Sequence, residues 1–83
     1  MTDQDEKLVQ RIKALGEYWL VRTLEDGTII GMGGLMFTTA IYMDLDLNGW
    51  GRRFCFKDVD LAVEEYAKLK TGDDEPTGWI ARR

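Results

Sequence analysis

The sequence predicts an α+β fold in which an antiparallel sheet of four to five strands packs against two helices. Two segments, one near each end of the chain, repeat apolar residues every three to four positions, as amphipathic helices do. Between them, apolar and polar residues alternate with period two, which is typical of strands. Asp26-Gly27 and Asn48-Gly49 separate these strand segments. Both pairs favour tight hairpin turns, so consecutive strands should be antiparallel neighbours. The predicted order is α-β-β-β-β-α-β.

The first helix is predicted over residues 3–15. Leu8, Ile12 and Leu15 recur at spacings of four and three and form one apolar stripe. Acidic residues precede the stripe, where the helix dipole favours negative charge. Gly16 is a plausible C-terminal stop.

A first hairpin follows this helix. Residues 17–23 are rich in aromatic and β-branched side chains and form the first predicted strand. After the turn at Asp26-Gly27, residues 28–30 begin the second strand. The glycine-rich segment 31–34 then leaves two readings open: a bulge within the second strand, or a turn directly into the third. A phosphate cradle is disfavoured, because no helix and no Lys-Ser/Thr pair follows.

Residues 34–47 are predicted to form one long strand around which the sheet is organised. Its apolar period is two, and its β-branched residues disfavour a helix. The first face, expected to meet the core, carries Leu35, Phe37, Thr39, Ile41, Met43, Leu45 and Leu47. The second face is half apolar and carries Met36, Thr38, Ala40, Tyr42, Asp44 and Asp46. That second face is either an ordinary solvated surface or a docking surface.

The last elements follow the turn at Asn48-Gly49. Residues 52–57 form the fourth strand, with Phe54 and Phe56 on its core face. A second helix is predicted over residues 59–70, capped by Asp58. Its apolar stripe, expected to be buried, consists of Val59, Ala62, Val63, Tyr66 and Leu69. Residues 79–81 are a short final strand.

The simplest architecture packs both helices on one face of the sheet, because each helix has one apolar stripe to bury. The other face would then be open. Residues 1–83 are predicted to form a single small domain, since a chain of 83 residues supports one modest core.

Composition limits the classes of function. A net charge of −4 and a pI of about 4.7 disfavour binding to nucleic acid or anionic membranes. The single cysteine, Cys55, excludes an intramolecular disulfide and favours a reducing, cytoplasmic setting. The polar first residues are unlike a secretory signal, and no apolar run reaches the length of a membrane helix. Histidine is absent, which removes the commonest general base and metal ligand.

Few residues suggest chemistry. Asp44 and Asp46 could share a strand face, but they lack the glycine and later glutamate of a calcium loop. Arg53 beside Cys55 could favour a thiolate, yet no base and no second cysteine accompany it. We therefore predict no enzymatic activity, no metal and no cofactor. Arg52 and Arg53 could bind a carboxylate or phosphate of a partner.

Four parts of the sequence resemble a group of short hypothetical proteins of proteobacteria and their phages or prophages. They are the segment from Gly33 to Asp46, the run Arg52-Arg53-Phe54-Cys55-Phe56, the second helix and Gly78-Trp79-Ile80. The resemblance runs from about Trp19 to Trp79. It implies a bacterial or mobile-element origin and transfers no catalytic residue. By analogy of size and source, it suggests a protein that binds or inhibits a host protein, as anti-CRISPR proteins do.

The leading prediction is a non-enzymatic protein-interaction module that binds a bacterial host protein through the open sheet face and the hairpin of Trp50. A homo-oligomer, such as a homodimer, and a nucleic-acid-binding protein are the alternatives. The predicted partner-binding residues are Met36, Thr38, Tyr42, Trp50, Arg52 and Arg53.

Overall fold

The computed structural model describes residues 3–35 and 38–82. Within them lie two helices and one antiparallel sheet of five strands in the spatial order β1-β2-β3-β4-β5. The predicted α+β class and element order are therefore confirmed. The elements are α1 (Asp3–Ala14), β1 (Leu20–Thr23), β2 (Ile29–Gly34), β3 (Thr39–Met43), β4 (Arg52–Phe56), α2 (Val59–Lys68) and β5 (Ala81–Arg82). No helix in the described part of the chain is both long and apolar enough to cross a membrane.

Both helices end close to their predicted boundaries. Helix α1 stops where Gly16 adopts a φ of 73°, a left-handed conformation that costs glycine little. The N–H of Gly16 donates to the Lys13 carbonyl at 3.1 Å, which satisfies one of the last helical acceptors. Helix α2 begins after Asp58, whose carboxylate accepts the N–H of Asp60 at 2.9 Å. The predicted cap of α2 is therefore confirmed.

The glycine-rich segment is part of strand β2. Gly31 pairs with Val21 on one side and with Tyr42 on the other, so the second strand continues through the glycines. The chain then turns, and the N–H of Leu35 donates to the Thr38 carbonyl at 2.7 Å. The prediction of one continuous strand over residues 34–47 is therefore wrong. Strand β3 covers only Thr39–Met43.

The alternation of β3 is reversed at its end. Asp44 has a φ of 59°, which is unusual for a residue other than glycine. Leu45 therefore joins the apolar cluster of Ala40 and Tyr42, on the opposite face from Ile41 and Met43. The predicted placement of Leu45 on the first face is wrong because a single left-handed residue shifts the pattern by one position.

The loop that follows α2 is tied to two hairpins. Its Gly72 N–H donates to the Asp26 carboxylate at 2.7 Å, and its carbonyl accepts a bond from Arg52 at 2.6 Å. Asp74 accepts the N–H groups of Lys70 and Thr71 within the loop. These bonds fix the path along which the chain reaches β5, which pairs with the outer side of β4.

Two apolar clusters show that the helices lie on opposite faces of the sheet. On the first face, α2 contributes Ala62, Tyr66 and Leu69 to a cluster with Ile30, Met32, Ile41, Met43, Phe54 and Phe56. On the second face, α1 contributes Val9 and Ile12 to a cluster with Val21, Ile29, Ala40 and Tyr42. The predicted packing of both helices on one face is therefore wrong. An uncovered second face would have left the apolar side chains of three strands in water.

Candidate functional site

The predicted open platform is largely covered. Tyr42, which was expected to be exposed, is buried, and its ring meets Tyr18 edge-on at 5.1 Å between centroids. Tyr18 approaches the sheet closely because Gly31 and Gly33 present no side chains beneath it. Thr38 is half-buried, and Met36 lies outside the described residues. The second face of the sheet therefore offers no broad docking surface over β2 and β3.

The two predicted arginines lie on opposite faces of β4. Arg52 pairs across the sheet with Met43 on the first face. Its Nε is 2.9 Å from Asp44 Oδ2, and its guanidinium also lies 3.9 Å from the Glu75 carboxylate. Together with the bond to the Gly72 carbonyl, these contacts give Arg52 a structural role. The predicted role of Arg52 in binding a partner stays a prediction.

Arg53 and Trp50 do lie together, on the second face. Arg53 is the cross-strand neighbour of Tyr42, and its guanidinium carbon is 5.0 Å from the centre of the Trp50 ring. The distance of 5.0 Å between the guanidinium carbon and the ring centre is typical of a cation–π pair. The Trp50 ring in turn lies 5.9 Å from the Tyr42 ring. Two of the six predicted binding residues thus form a partly exposed cluster beside the covered part of the face.

A second candidate surface lies on the first face. Four large apolar side chains there remain between about half and two thirds exposed, and we call them the apolar patch: Trp19 (60%), Leu20 (50%), Val59 (47%) and Val63 (47%). Such side chains are rare on the surface of a monomer when several occur together. The sequence had placed Val59 and Val63 in the buried stripe of α2, and that placement is wrong.

Contacts between Arg22 and α2 indicate that these four side chains lie towards the same side of the first face. One flank of the helix faces β1, because Arg22 lies 4.9 Å from the Tyr66 ring and bonds the Tyr66 carbonyl. Val63 and Val59 precede Tyr66 by one and two helical turns on that same flank. Leu20 precedes Arg22 by two residues on the same face of β1, in the same direction. The Trp19 ring lies against Gly34 at this end of the sheet.

The opposite flank of α2 holds a buried carboxylate. Glu65 is 6% exposed and accepts the N–H of Thr77 at 2.8 Å and its hydroxyl at 2.9 Å. Lys68 donates to the same carboxylate at 2.9 Å. These bonds, that from the Thr77 N–H above all, lower the pKa of Glu65 from its usual 4.5 to about 2. Three hydrogen bonds thus favour the ionised carboxylate, so Glu65 anchors the loop and is not poised for acid–base chemistry.

The other residues considered for chemistry, Asp44, Asp46 and Cys55, have structural environments in the fold. Asp46 caps its own hairpin, accepting the N–H groups of Asn48 and Gly49 at 2.7 and 2.9 Å. It therefore does not act with Asp44, which pairs with Arg52. Cys55 is a buried free thiol. Within residues 7–35 and 38–80, no three acidic or cysteine side chains are grouped so that they could hold a metal ion.

Comparisons with known proteins give a partial match. No protein-family model matches the chain, and no solved structure matches it. A 52-residue stretch, 63% of the chain, is 42% identical to LisH domain-containing protein ARMC9 of Xenopus laevis. The protein of the same name from Xenopus tropicalis is 35% identical over 52 residues. The chain spans about 6% of the length of either protein.

The predicted resemblance to bacterial and phage proteins is wrong. The two curated proteins that match are from frogs, and neither comes from a bacterium or a phage. The resemblance rested on the segment from Gly33 to Asp46, the run from Arg52 to Phe56, the second helix and Gly78-Trp79-Ile80, and these matches do not bear it out. The analogy with proteins that inhibit a bacterial host protein loses its basis with that resemblance.

Proposed function

We propose that this chain is a non-enzymatic protein-interaction module that binds its partner through the apolar patch. The observation that carries the proposal is the exposure of four large apolar side chains, namely Val59 and Val63 of α2 and the residues Trp19 and Leu20 at the start of β1, the strand that Arg22 joins to this helix. Burying such side chains against a partner is favourable, because apolar surface leaves water. Tryptophan is also enriched in the energetically dominant part of protein interfaces.

The position of the patch supports this proposal further. It lies beside β1, which forms one edge of the sheet. An edge strand exposes backbone N–H and C=O groups with which an extended segment of a partner can pair. The match to a short part of a much longer protein also fits a module that works within a larger chain. A cytoplasmic setting remains part of the proposal and rests on Cys55, which is a free thiol.

Self-association is the second candidate, because the same patch and edge could meet their copies around a twofold axis. Light scattering over a hundredfold range of concentration separates the two candidates. A mass that rises toward twice that of the chain supports a homodimer, and a constant monomer mass supports a different partner. Nucleic-acid binding is disfavoured by the net charge of −4.

A photo-crosslinking residue at position 63 tests the proposal directly. Glu64 provides the matched control position, since it is the next residue of α2 and points away from the sheet into water. In an extract of the source cells, we expect a discrete crosslinked product from position 63 and little from position 64. The double variant Trp19→Gln, Val59→Ser should abolish this product. Equal products at both positions would contradict the assignment of the surface.

A further inference from the structure

The cluster of Trp50 and Arg53 lies on the second face, away from the apolar patch. The Arg53 guanidinium carbon lies over the Trp50 ring, 5.0 Å from its centre, and this ring lies 5.9 Å from the Tyr42 ring. A cation–π contact engages the charge of a guanidinium and does not use up its N–H donors. The contact with Trp50 therefore restrains Arg53 and leaves its terminal N–H groups able to bond an acceptor.

Arg53 differs from its neighbour in how its charge is balanced. Arg52 has a carboxylate at 2.9 Å and a carbonyl at 2.6 Å. For Arg53, the residues that the structure describes supply no carboxylate within 4.0 Å and no hydrogen-bond acceptor. Its Nε is buried without an acceptor. A cation that is partly withdrawn from water gains more from an anionic acceptor than a fully solvated one does.

We propose that Trp50 and Arg53 form a recognition site for a carboxylate group of a protein partner. The planar guanidinium matches the two oxygens of a carboxylate, and Trp50 offers apolar contact to the carbon chain that carries it. A nucleic acid is a poorer fit, because one arginine in a chain of net charge −4 gives little phosphate neutralisation. This site goes beyond the proposed function, since it is on the opposite face and does not depend on the patch.

Nuclear magnetic resonance of the full chain tests this site with acetate as the probe. The observed signals are the Arg53 Nε–H and the Trp50 indole N–H, followed at constant ionic strength while acetate replaces chloride. We expect both to move and to saturate, with a half-maximum on the order of 100 mM for a single partly exposed ion pair. In Arg53→Lys, the Trp50 shift should fall at least severalfold. Arg11→Lys, which alters an exposed arginine on α1, should leave it unchanged.

Three results would overturn the proposal. Shifts that grow linearly as acetate replaces chloride, without saturation, would show an adventitious ion only. A tighter response to inorganic phosphate than to acetate would point to a phosphate ligand. An unchanged Trp50 response in Arg53→Lys would remove Arg53 from the site. If that variant does not fold, the saturation of the Arg53 Nε–H signal in the unaltered chain still decides the question.

Discussion

Replacing Glu65 by glutamine tests whether the buried carboxylate holds the loop after α2 against the helix. The amide oxygen can still accept the Thr77 N–H, so the change removes mainly the charge. The usual pKa of 4.5 falls to about 2 in the folded chain. At about 1.4 kcal/mol per pH unit, this difference sets an upper limit of about 3 kcal/mol. Because the partner Lys68 is 70% exposed, we expect about 1–2 kcal/mol after screening by solvent.

The sign of the pH dependence follows from the depressed pKa. As pH falls, the unfolded chain binds a proton at Glu65 before the folded chain does. The stabilisation is therefore complete above about pH 4.5 and is lost between pH 4.5 and 2. Urea unfolding of the original chain and of Glu65→Gln should differ by 1–2 kcal/mol at pH 6, an amount on the order of a screened ion pair, and converge near pH 2.

Glu64→Gln is the matched control, since it removes the neighbouring charge from the exposed side of α2. It should lower the free energy of unfolding by less than about 0.5 kcal/mol. The reasoning is refuted if Glu65→Gln keeps a constant deficit between pH 6 and 2.5, or if the control loses as much as the test variant.

Three further predictions concern the packing of the sheet, each measured by urea unfolding. Arg22→Met should lower the free energy of unfolding by about 2 kcal/mol, because it removes the hydrogen bonds to the carbonyls of Tyr66 and Leu69 at 2.6 and 3.0 Å. A loss no larger than that of the control variant Lys57→Met would contradict this prediction. Gly31→Ala should cost about 1–3 kcal/mol, because its methyl group would lie 2.6 Å from Leu45 Cδ1. In the background Leu45→Ala the same change should cost clearly less, and simple additivity would show that the contact is unimportant. Asp44→Ala should cost about 1 kcal/mol more than Asp44→Gly, because only the alanine is strained at a φ of 59°, and equal costs would exclude that strain.

The sequence predicted the elements better than their arrangement. Periodicity located both helices, and the Asp26-Gly27 and Asn48-Gly49 pairs fixed the order of the hairpins. Such signals are local, so they survive in any tertiary setting. The extent of β3 was missed because the alternation appeared to continue through Asp44, whose left-handed backbone no apolar pattern reveals. Which face of the sheet each helix covers depends on contacts between residues far apart in the sequence. Hairpin signals do not specify those contacts.

The geometry around the predicted binding residues could be anticipated only in part, for related reasons. The proximity of Trp50 and Arg53 follows from a hairpin tip and a strand face, which are local features. The ion pair of Arg52 was not foreseen because its partner Asp44 comes from the opposite strand. The apolar patch was missed because Val59 and Val63 fit the periodicity of a buried stripe. The covering of the second face did leave a signal in the sequence. Gly31 and Gly33 carry no side chains, and this makes room for a covering segment over that face.

The separation of the helices by the sheet is most directly tested by nuclear Overhauser contacts in solution. We expect contacts from the methyl groups of Val9 and Ile12 to the Tyr42 ring, and from Ala62 to the rings of Phe54 and Phe56. Contacts between the α1 methyl groups and either phenylalanine would place both helices on one side. That result would open the second face and contradict the arrangement on which both proposed sites depend.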